Sequence, residues 1–336
     1  MRRSGPQDRA LPRRLGDTGL RAGPLGLGMA ALGRPGYITI GHAVDFAGTD
    51  PAAAARRAYA VLDEARALGV VHIDAARSYG RAEQFLAGWL TERAIVPGEM
   101  TISSKWGYTY TADWRVDAER HEVKDHTPAA LERQWPESRA LLGRWLGLYQ
   151  IHSATPGSGV LDDATVLDRL ASLRDGGLVI GLTTSGPEQG ETIRRALGIR
   201  RGGRRLFGAV QATWNPLETS AAPALAEAHA EGVGVIVKEA LANGRLALRP
   251  GSAPGPHHRA LVAAVPGAAD PAQAALALAM AQPFADVVLS GAATVEHLRD
   301  NAGATGLLRA ADPRALDAAA EDPGDYWATR AALPWN

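Results

Sequence analysis

Eight short apolar runs, each followed by a segment of helical pattern, leave few folds open to this chain. The runs are Leu25–Gly28, Val70–Asp74, Met100–Ser104, Leu148–His152, Val179–Leu182, Gly208–Gln211, Val233–Val237 and Asp286–Leu289. Helices are predicted from Asp50-Pro51 to about Leu68, then over Ala82–Arg93, Pro128–Leu142, Ala164–Asp175, Glu188–Leu197, Ala221–Glu231, Pro271–Gln282 and Val295–Gly303. Strands that are apolar throughout have both faces covered, as in a parallel sheet wrapped by helices. Gly69, Gly147, Gly177 and Gly232 precede runs and supply C-caps or turns. Eight such units are the layout of a closed (β/α)8 TIM barrel, an α/β fold. An open doubly wound sheet fits the same alternation. For dinucleotide binding it would carry a Gly-x-Gly-x-x-Gly loop, and Gly26-Leu27-Gly28 lacks the third glycine at the right offset.

The ends of the chain divide off naturally. Residues 1–12 read as a flexible basic tail without the apolar stretch of a signal peptide. Arg13–Arg21 reads as an N-terminal β-hairpin, with Asp17 and Gly19 at its turn. The barrel domain spans 13–311. Residues 312–336 form an extension in which Tyr326, Trp327 and Trp335 call for packing on the barrel. The connection Trp106–Thr127 carries Trp106, Tyr108, Tyr110 and Trp114, and Leu241–Asp270 is rich in Gly and Pro. Connections of such length are functional or disordered. The aromatic residues of the first are expected to wall a substrate pocket, or else to form a cap on the barrel rim.

A net charge of 0 offers no long-range attraction for nucleic acid or an anionic membrane. The absence of cysteine excludes disulfides, thiolate nucleophiles and Cys-based zinc sites, and suits a reducing, cytoplasmic compartment. His72, Asp74 and His152 lack metal-motif spacing, and His257-His258 reads as a solvent-exposed pair, so no metal is expected. The stretch Ala272–Ala281 is too short to span a bilayer.

The chemistry lies in the polar residues that close the apolar runs: Asp74 with Tyr79 five residues on, Lys105, His152 and Gln211. Singly, each is ordinary, as a cap, a rim aromatic or a carboxylate partner. Together they describe a reaction. Tyr79 is a weak acid, with an ordinary pKa near 10. A neighbouring ammonium, Lys105, would favour its phenolate and bring that pKa down. Asp74 would hold Lys105 charged, and His152 would orient a substrate oxygen. That set is a general acid for carbonyl reduction in a site preorganised for a developing alkoxide.

The same stretches resemble the aldo-keto reductase family from about Arg13 to Gly303. RRLGDTGL…LGLG is similar to that family's opening hairpin and first strand, and HIDAARSYGRAE to its second-strand signature. SSKWG resembles its lysine strand and LYQIHS its histidine strand, and QATWNPL and VLSGAATVEHLRDN complete the order. The resemblance implies a catalytic tetrad of Asp74, Tyr79, Lys105 and His152. It also implies NADPH as hydride donor, with NADH possible, and an aldehyde or ketone as substrate. The retained His152 favours carbonyl over alkene chemistry.

The implied cofactor residues match less evenly. Gly28 and Met29 end the first strand and border the cofactor, Met29 also the substrate. Gln211 stands where the family holds the nicotinamide amide, and Trp214 where an aromatic stacks on the ring. Thr183 and Thr184 replace the usual Ser-Asn pair. Lys238-Glu239-Ala240-Leu241 replaces a Ser-Pro-Leu pattern, so Lys238 would reach a phosphate or pair with Glu239. Ser290 and Gly291 lead into a helix start suited to an anion. Asn301 matches an adenine-side asparagine. His297 stands where arginine often meets the 2′-phosphate, with Arg299 as a substitute. The resemblance leaves two other roles open: an alcohol or sugar dehydrogenase running the same tetrad in reverse, and a cofactor-binding, non-enzymatic partner subunit. Substrate identity and oligomeric state are not legible in these residues.

Overall fold

The computed structural model describes residues 13–42, 50–248, 251–312, 315 and 319–336; the expected tail 1–12 lies outside them. Eight parallel strands close a barrel in chain order: β1 Leu25–Gly28, β2 His72–Asp74, β3 Thr101–Trp106, β4 Leu146–Ala154, β5 Val179–Thr184, β6 Ala209–Thr213, β7 Gly234–Lys238 and β8 Val287–Ser290. Closure comes from β8 on β1, with Val288 opposite Leu25 and Ser290 opposite Leu27. The architecture is the (β/α)8 barrel expected from the alternation.

The helices are α1 Pro51–Ala67, α2 Ala82–Glu92, α3 Pro128–Leu142, α4 Ala164–Asp175, α5 Gln189–Gly198, α6 Ala222–Ala230, α7 Pro256–Ala264, α8 Pro271–Met280, α9 Val295–Gly303 and α10 Pro323–Ala331. Most of their starts follow from capping chemistry. Asp50 accepts from Ala52 N and Ala53 N at 3.1 and 3.0 Å, with Pro51 next in the first turn. Thr127, Asp163, Asp270 and Thr294 cap α3, α4, α8 and α9 in the same way. The main apolar core lies between strands and helices. A smaller one fills the barrel's N-terminal end around Leu15, Leu148, Ile236 and Val287. The hairpin Arg13–Arg14/Arg21–Ala22 closes that end, and Asp17 N donates to Gly232 O at 2.8 Å.

The structure adds to the expected elements in several places. The connection 106–127 contains a hairpin, Tyr108–Tyr110 paired with Glu122–Lys124. The Gly/Pro-rich connection contains α7. Strands β3 and β4 run beyond their expected ends, so Lys105 lies within its strand rather than just after it, and His152 stands two residues short of its strand's end. Inward polar side chains find partners there, so the ladder continues past the end of the apolar pattern.

Candidate active site

Side chains alternate along a strand, so residues two apart share a face. His72 and Asp74, Ser103 and Lys105, and Gln150 and His152 are three such pairs on adjacent strands. Hydrogen bonds join all of these side chains but that of His152 into one buried network. Ser103 Oγ donates to Asp74 Oδ1 at 2.7 Å, and Gln150 Nε2 donates to the same oxygen at 3.2 Å. Lys105 Nζ forms an ion pair with Asp74 Oδ2 and donates to Ala75 O at 2.9 Å and to the Tyr79 hydroxyl at 3.3 Å. Ser103 has spent its proton on Asp74, so His72 Nε2 donates to Ser103 Oγ at 3.0 Å. Burial lowers the His72 pKa to about 4, which keeps the ring neutral. Lys105 is 1% exposed, and burial lowers its pKa, opposed by Asp74.

Tyr79 lies after β2, on a turn packed against the segment that follows β1. A Cβ on Gly33 would stand 2.2 Å from Tyr79 O, and one on Gly80, whose φ is +57°, 2.4 Å from Gly33 O. Only glycines permit that approach. Met29 N also donates to Asp74 O at 2.9 Å, so Gly28 and the fully buried Met29 are strapped to the acid of the tetrad. The expected fall in the Tyr79 pKa does not occur. Burial, reinforced by the Asp74 carboxylate, pushes the phenol well above its ordinary value of 10.0, with Arg34 opposing. The Lys105 charge is engaged by Asp74, so the group at rest is a protonated donor.

His152 stands across from the phenol, its ring 5.4 Å from that of Tyr79 and nearly perpendicular to it. The residue is 8% exposed, and burial, then Lys105 and Arg34, lower its pKa well below 6.5. It is therefore neutral and can donate a hydrogen bond to an oxygen. Its backbone is pinned at a bulge between Ile151 and Ala154, where Ser153 has φ +54°. His126 Nε2 donates to His152 O at 2.8 Å, Lys124 Nζ to Ser153 O at 2.8 Å, and Ser153 N to Thr183 Oγ1 at 2.7 Å.

The four expected pocket aromatics separate into two groups. Tyr108 lies 4.9 Å from the His152 ring, and Trp106 is fully buried 5.8 Å from His126. Tyr110 and Trp114 instead line a rim depression of about 460 Å³ with Gly80, Arg81, Gln84, Thr111 and Asp113. Tyr110 OH accepts from Trp114 N at 3.2 Å there. Residues outside the expected set also reach the tetrad. Arg34 lies over the Tyr79 ring at 5.2 Å, over Tyr37 at 5.1 Å and over Trp335 at 4.8 Å. Trp335 stacks on His121 at 4.2 Å. Ser103 and Gln150 could have been found by counting back two residues from Lys105 and His152. Arg34 sits in a loop, where no periodicity points to it.

Beyond Gly28 and Met29 at the end of β1, the residues expected around a cofactor lie at or just after the C-terminal ends of β5 to β8 and on α9. Gln211 is 1% exposed, and its amide nitrogen is buried without a partner. Trp214 is buried edge-on to Phe284 at 6.2 Å. Thr184 Oγ1 is 3.5 Å from Gln211 O. Lys238 Nζ donates to Thr213 Oγ1 at 2.7 Å and lies 3.7 Å from Glu239, and burial lowers its pKa to about 8. Glu239 takes Arg330 of α10 as its main partner, with Arg330 Nε 2.9 and 3.1 Å from the two carboxylate oxygens. Asn301 Nδ2 donates to Ser290 Oγ at 2.8 Å, and Gly291 is exposed, with open space where a Cβ would stand. His297 is exposed, with its backbone N–H taken by Thr294. Arg299 points elsewhere, into a bidentate pair with Glu64 of α1 at 2.8 and 2.9 Å. Among the described residues no group of three His, Asp or Glu could hold a metal ion, and no helix is long and apolar enough to cross a membrane.

Comparison with known proteins agrees with this fold. No curated protein matches the chain significantly. A crystal structure from Pseudomonas aeruginosa, assigned as an aldo-keto reductase, is 26% identical with a TM-score of 0.61, covering 88% of this chain and 96% of that one. An aldo-keto reductase from Bacillus halodurans in its holo form has a TM-score of 0.66 over 95% of each chain; at 20% identity it is a likeness of fold alone. The family model described as Aldo/keto reductase family matches residues 24–321. The chain belongs to the aldo/keto reductase family, oxidoreductases acting on small carbonyl compounds.

Proposed function

We propose that this protein reduces an aldehyde or ketone to the alcohol, with Tyr79 as general acid and NADPH, or NADH, as reductant. The observation that carries the reading is the placing of Lys105 Nζ, ion-paired with Asp74, 3.3 Å from the Tyr79 hydroxyl, with His152 facing the same phenol. A nicotinamide cofactor would supply the hydride that the carbonyl carbon receives. The buried, unpartnered amide nitrogen of Gln211 suits the carboxamide oxygen of such a group. Trp214, Thr183 and Thr184 would flank the ring end. Gly28, Met29, Lys238, Ser290, Gly291, His297 and Asn301 would border the rest.

The chain's own part is proton delivery and charge control. His152 donates a hydrogen bond to the carbonyl oxygen and fixes its direction. As charge develops there, the Tyr79 O–H breaks and its proton passes to that oxygen. Lys105 stabilises the phenolate left behind, and Asp74, held by Ser103 and Gln150, fixes Lys105. General acid catalysis of this kind contributes about 10²- to 10⁴-fold. Tyr108 and Trp106 would wall the near side of the substrate, and Tyr110 and Trp114 its outer end. The pairing of Arg299 with Glu64, and of no arginine at position 297, weakens the usual case for strict NADP selection. A panel of aldehydes and ketones assayed with NADPH and NADH, following cofactor absorbance, tests the proposal. Turnover of at least one carbonyl is expected. Tight cofactor binding without turnover across the panel would overturn it.

A further inference from the structure

The Arg34 guanidinium is 2% exposed, yet it belongs to no part of the tetrad. It is held in place on several sides. Nη1 donates to Ser78 O at 3.0 Å, the residue before Tyr79, and to Glu122 Oε2 at 2.8 Å. Its planar face meets three aromatic rings, the Tyr79 ring at 5.2 Å among them. Arg34 Nε is buried without a partner. The backbone is locked as well, since Arg81 N donates to Gly33 O at 2.7 Å. A buried cation is costly to keep, and this one is fixed against the one ring that must carry negative charge during the reaction.

We propose that Arg34 is a second cation for Tyr79, acting through that residue: once the phenol has given its proton to the substrate oxygen, the guanidinium stabilises the phenolate, and Glu122 sets how strongly. The proposal rests on the reading of Tyr79 as the proton donor. Its sign follows from the charges that face the phenol. Lys105 and Arg34 favour the phenolate, whereas Asp74, Glu122, Glu239 and an ionised Tyr37 oppose it, and His152 stays neutral. Arg34 and Glu122 lie on different elements, a loop after β1 and a strand of the 106–127 hairpin. Removing one or the other must therefore move the phenol in opposite directions. A packing role for the pair gives no reason for opposite signs.

The test is alcohol oxidation, the direction in which Tyr79 must first be ionised. The alcohol of the panel carbonyl that the wild type reduces fastest is used with the preferred oxidised cofactor, and kcat/KM is followed against pH. Arg34→Met is expected to displace the rising limb to higher pH by about one unit, roughly tenfold in rate at a fixed pH below the limb. Glu122→Gln is expected to displace it to lower pH and to raise the rate there. Arg34→Lys, which keeps the charge, should stay nearer to the wild type than Arg34→Met. Limbs that do not move, or that move the same way in Arg34→Met and Glu122→Gln, would overturn the proposal and leave Arg34 a packing residue. If Arg34→Met does not fold, Glu122→Gln decides alone: a downward displacement supports the proposal, and an unchanged or upward one overturns it. Tyr79→Phe in the same assay separates the two readings. Retained oxidation there defeats Tyr79 as the proton-transfer group, whereas lost oxidation with unmoved limbs in the other variants defeats only the role of Arg34.

Discussion

Lys105 Nζ is shared between Asp74, with which it is ion-paired, and the Tyr79 hydroxyl 3.3 Å away, with Lys105 and Asp74 buried and Tyr79 half-buried at the C-terminal end of the barrel. A buried ammonium in that position has a structural and a chemical duty at once. Lys105→Met keeps the length and removes the charge, leaving Asp74 uncompensated. Unfolding in urea should report a loss of about 3–5 kcal/mol. Carbonyl reduction in single turnover should fall at least about 100-fold. A variant of full stability and activity would remove Lys105 from both duties.

Gly33 holds the turn of Tyr79 against the segment after β1. A Cβ there would stand 2.2 Å from Tyr79 O and 2.5 Å from the Ala82 side chain. Gly33→Ala is expected to cost about 1–3 kcal/mol of stability by overpacking. It should also lower kcat by displacing the phenol, while cofactor affinity changes little. Cofactor fluorescence titration beside steady-state rates checks the split.

The Glu239–Arg330 pair ties α10 to the end of β7, with Glu239 itself at φ +56°. Burial alone would raise the Glu239 carboxyl, but Arg330 and Lys238 outweigh it and hold it down at about 2. A carboxyl depressed on folding adds stability that is present above its ordinary range and lost as pH falls through the folded value. Glu239→Gln should therefore be less stable than wild type at neutral pH, by about 3 kcal/mol. The gap should narrow as pH falls from about 4.5 toward 2. Denaturant melts of both proteins at several pH values, read by tryptophan fluorescence, measure it. A gap that is constant across that range would contradict the assignment.

Trp114 has φ +64° and sits edge-on to Phe85 at 6.1 Å, with Arg81 over its ring at 5.1 Å. It lines the rim depression beside Gly80, away from the expected cofactor residues. Trp114→Ala is expected to change KM and selectivity across a carbonyl panel by about tenfold, the order of one lost apolar contact surface. The KM for NADPH should stay close to wild type. Unchanged selectivity would make Trp114 a rim-packing residue.

The barrel was legible because its signal repeats. Short apolar runs, each followed by a segment of helical pattern, recur eight times, and each run contributes one strand. That Asp74, Tyr79, Lys105 and His152 come together was legible because polar residues that close apolar runs are conspicuous, as Lys105 and His152 are. Two kinds of feature were not. Tyr79 has its acidity set by burial and the balance of nearby charges, and no residue spacing reports that balance, so the lowered pKa read from Lys105 alone came out with the opposite sign. Arg34, Glu122 and Trp335 meet around the phenol from three segments far apart in the chain. Each sits in a loop, a short hairpin or the terminal extension, where side-chain periodicity carries no information. Arg299 illustrates the same limit, since only the fold reveals that Glu64 already holds it.

The proposed reaction depends above all on Tyr79 supplying the proton. Single-turnover reduction of the best panel carbonyl by Tyr79→Phe, with cofactor saturating, tests it most directly. The expected rate is lower by about 10²- to 10⁴-fold, with cofactor affinity close to wild type. A wild-type-like single-turnover rate in that variant would contradict it.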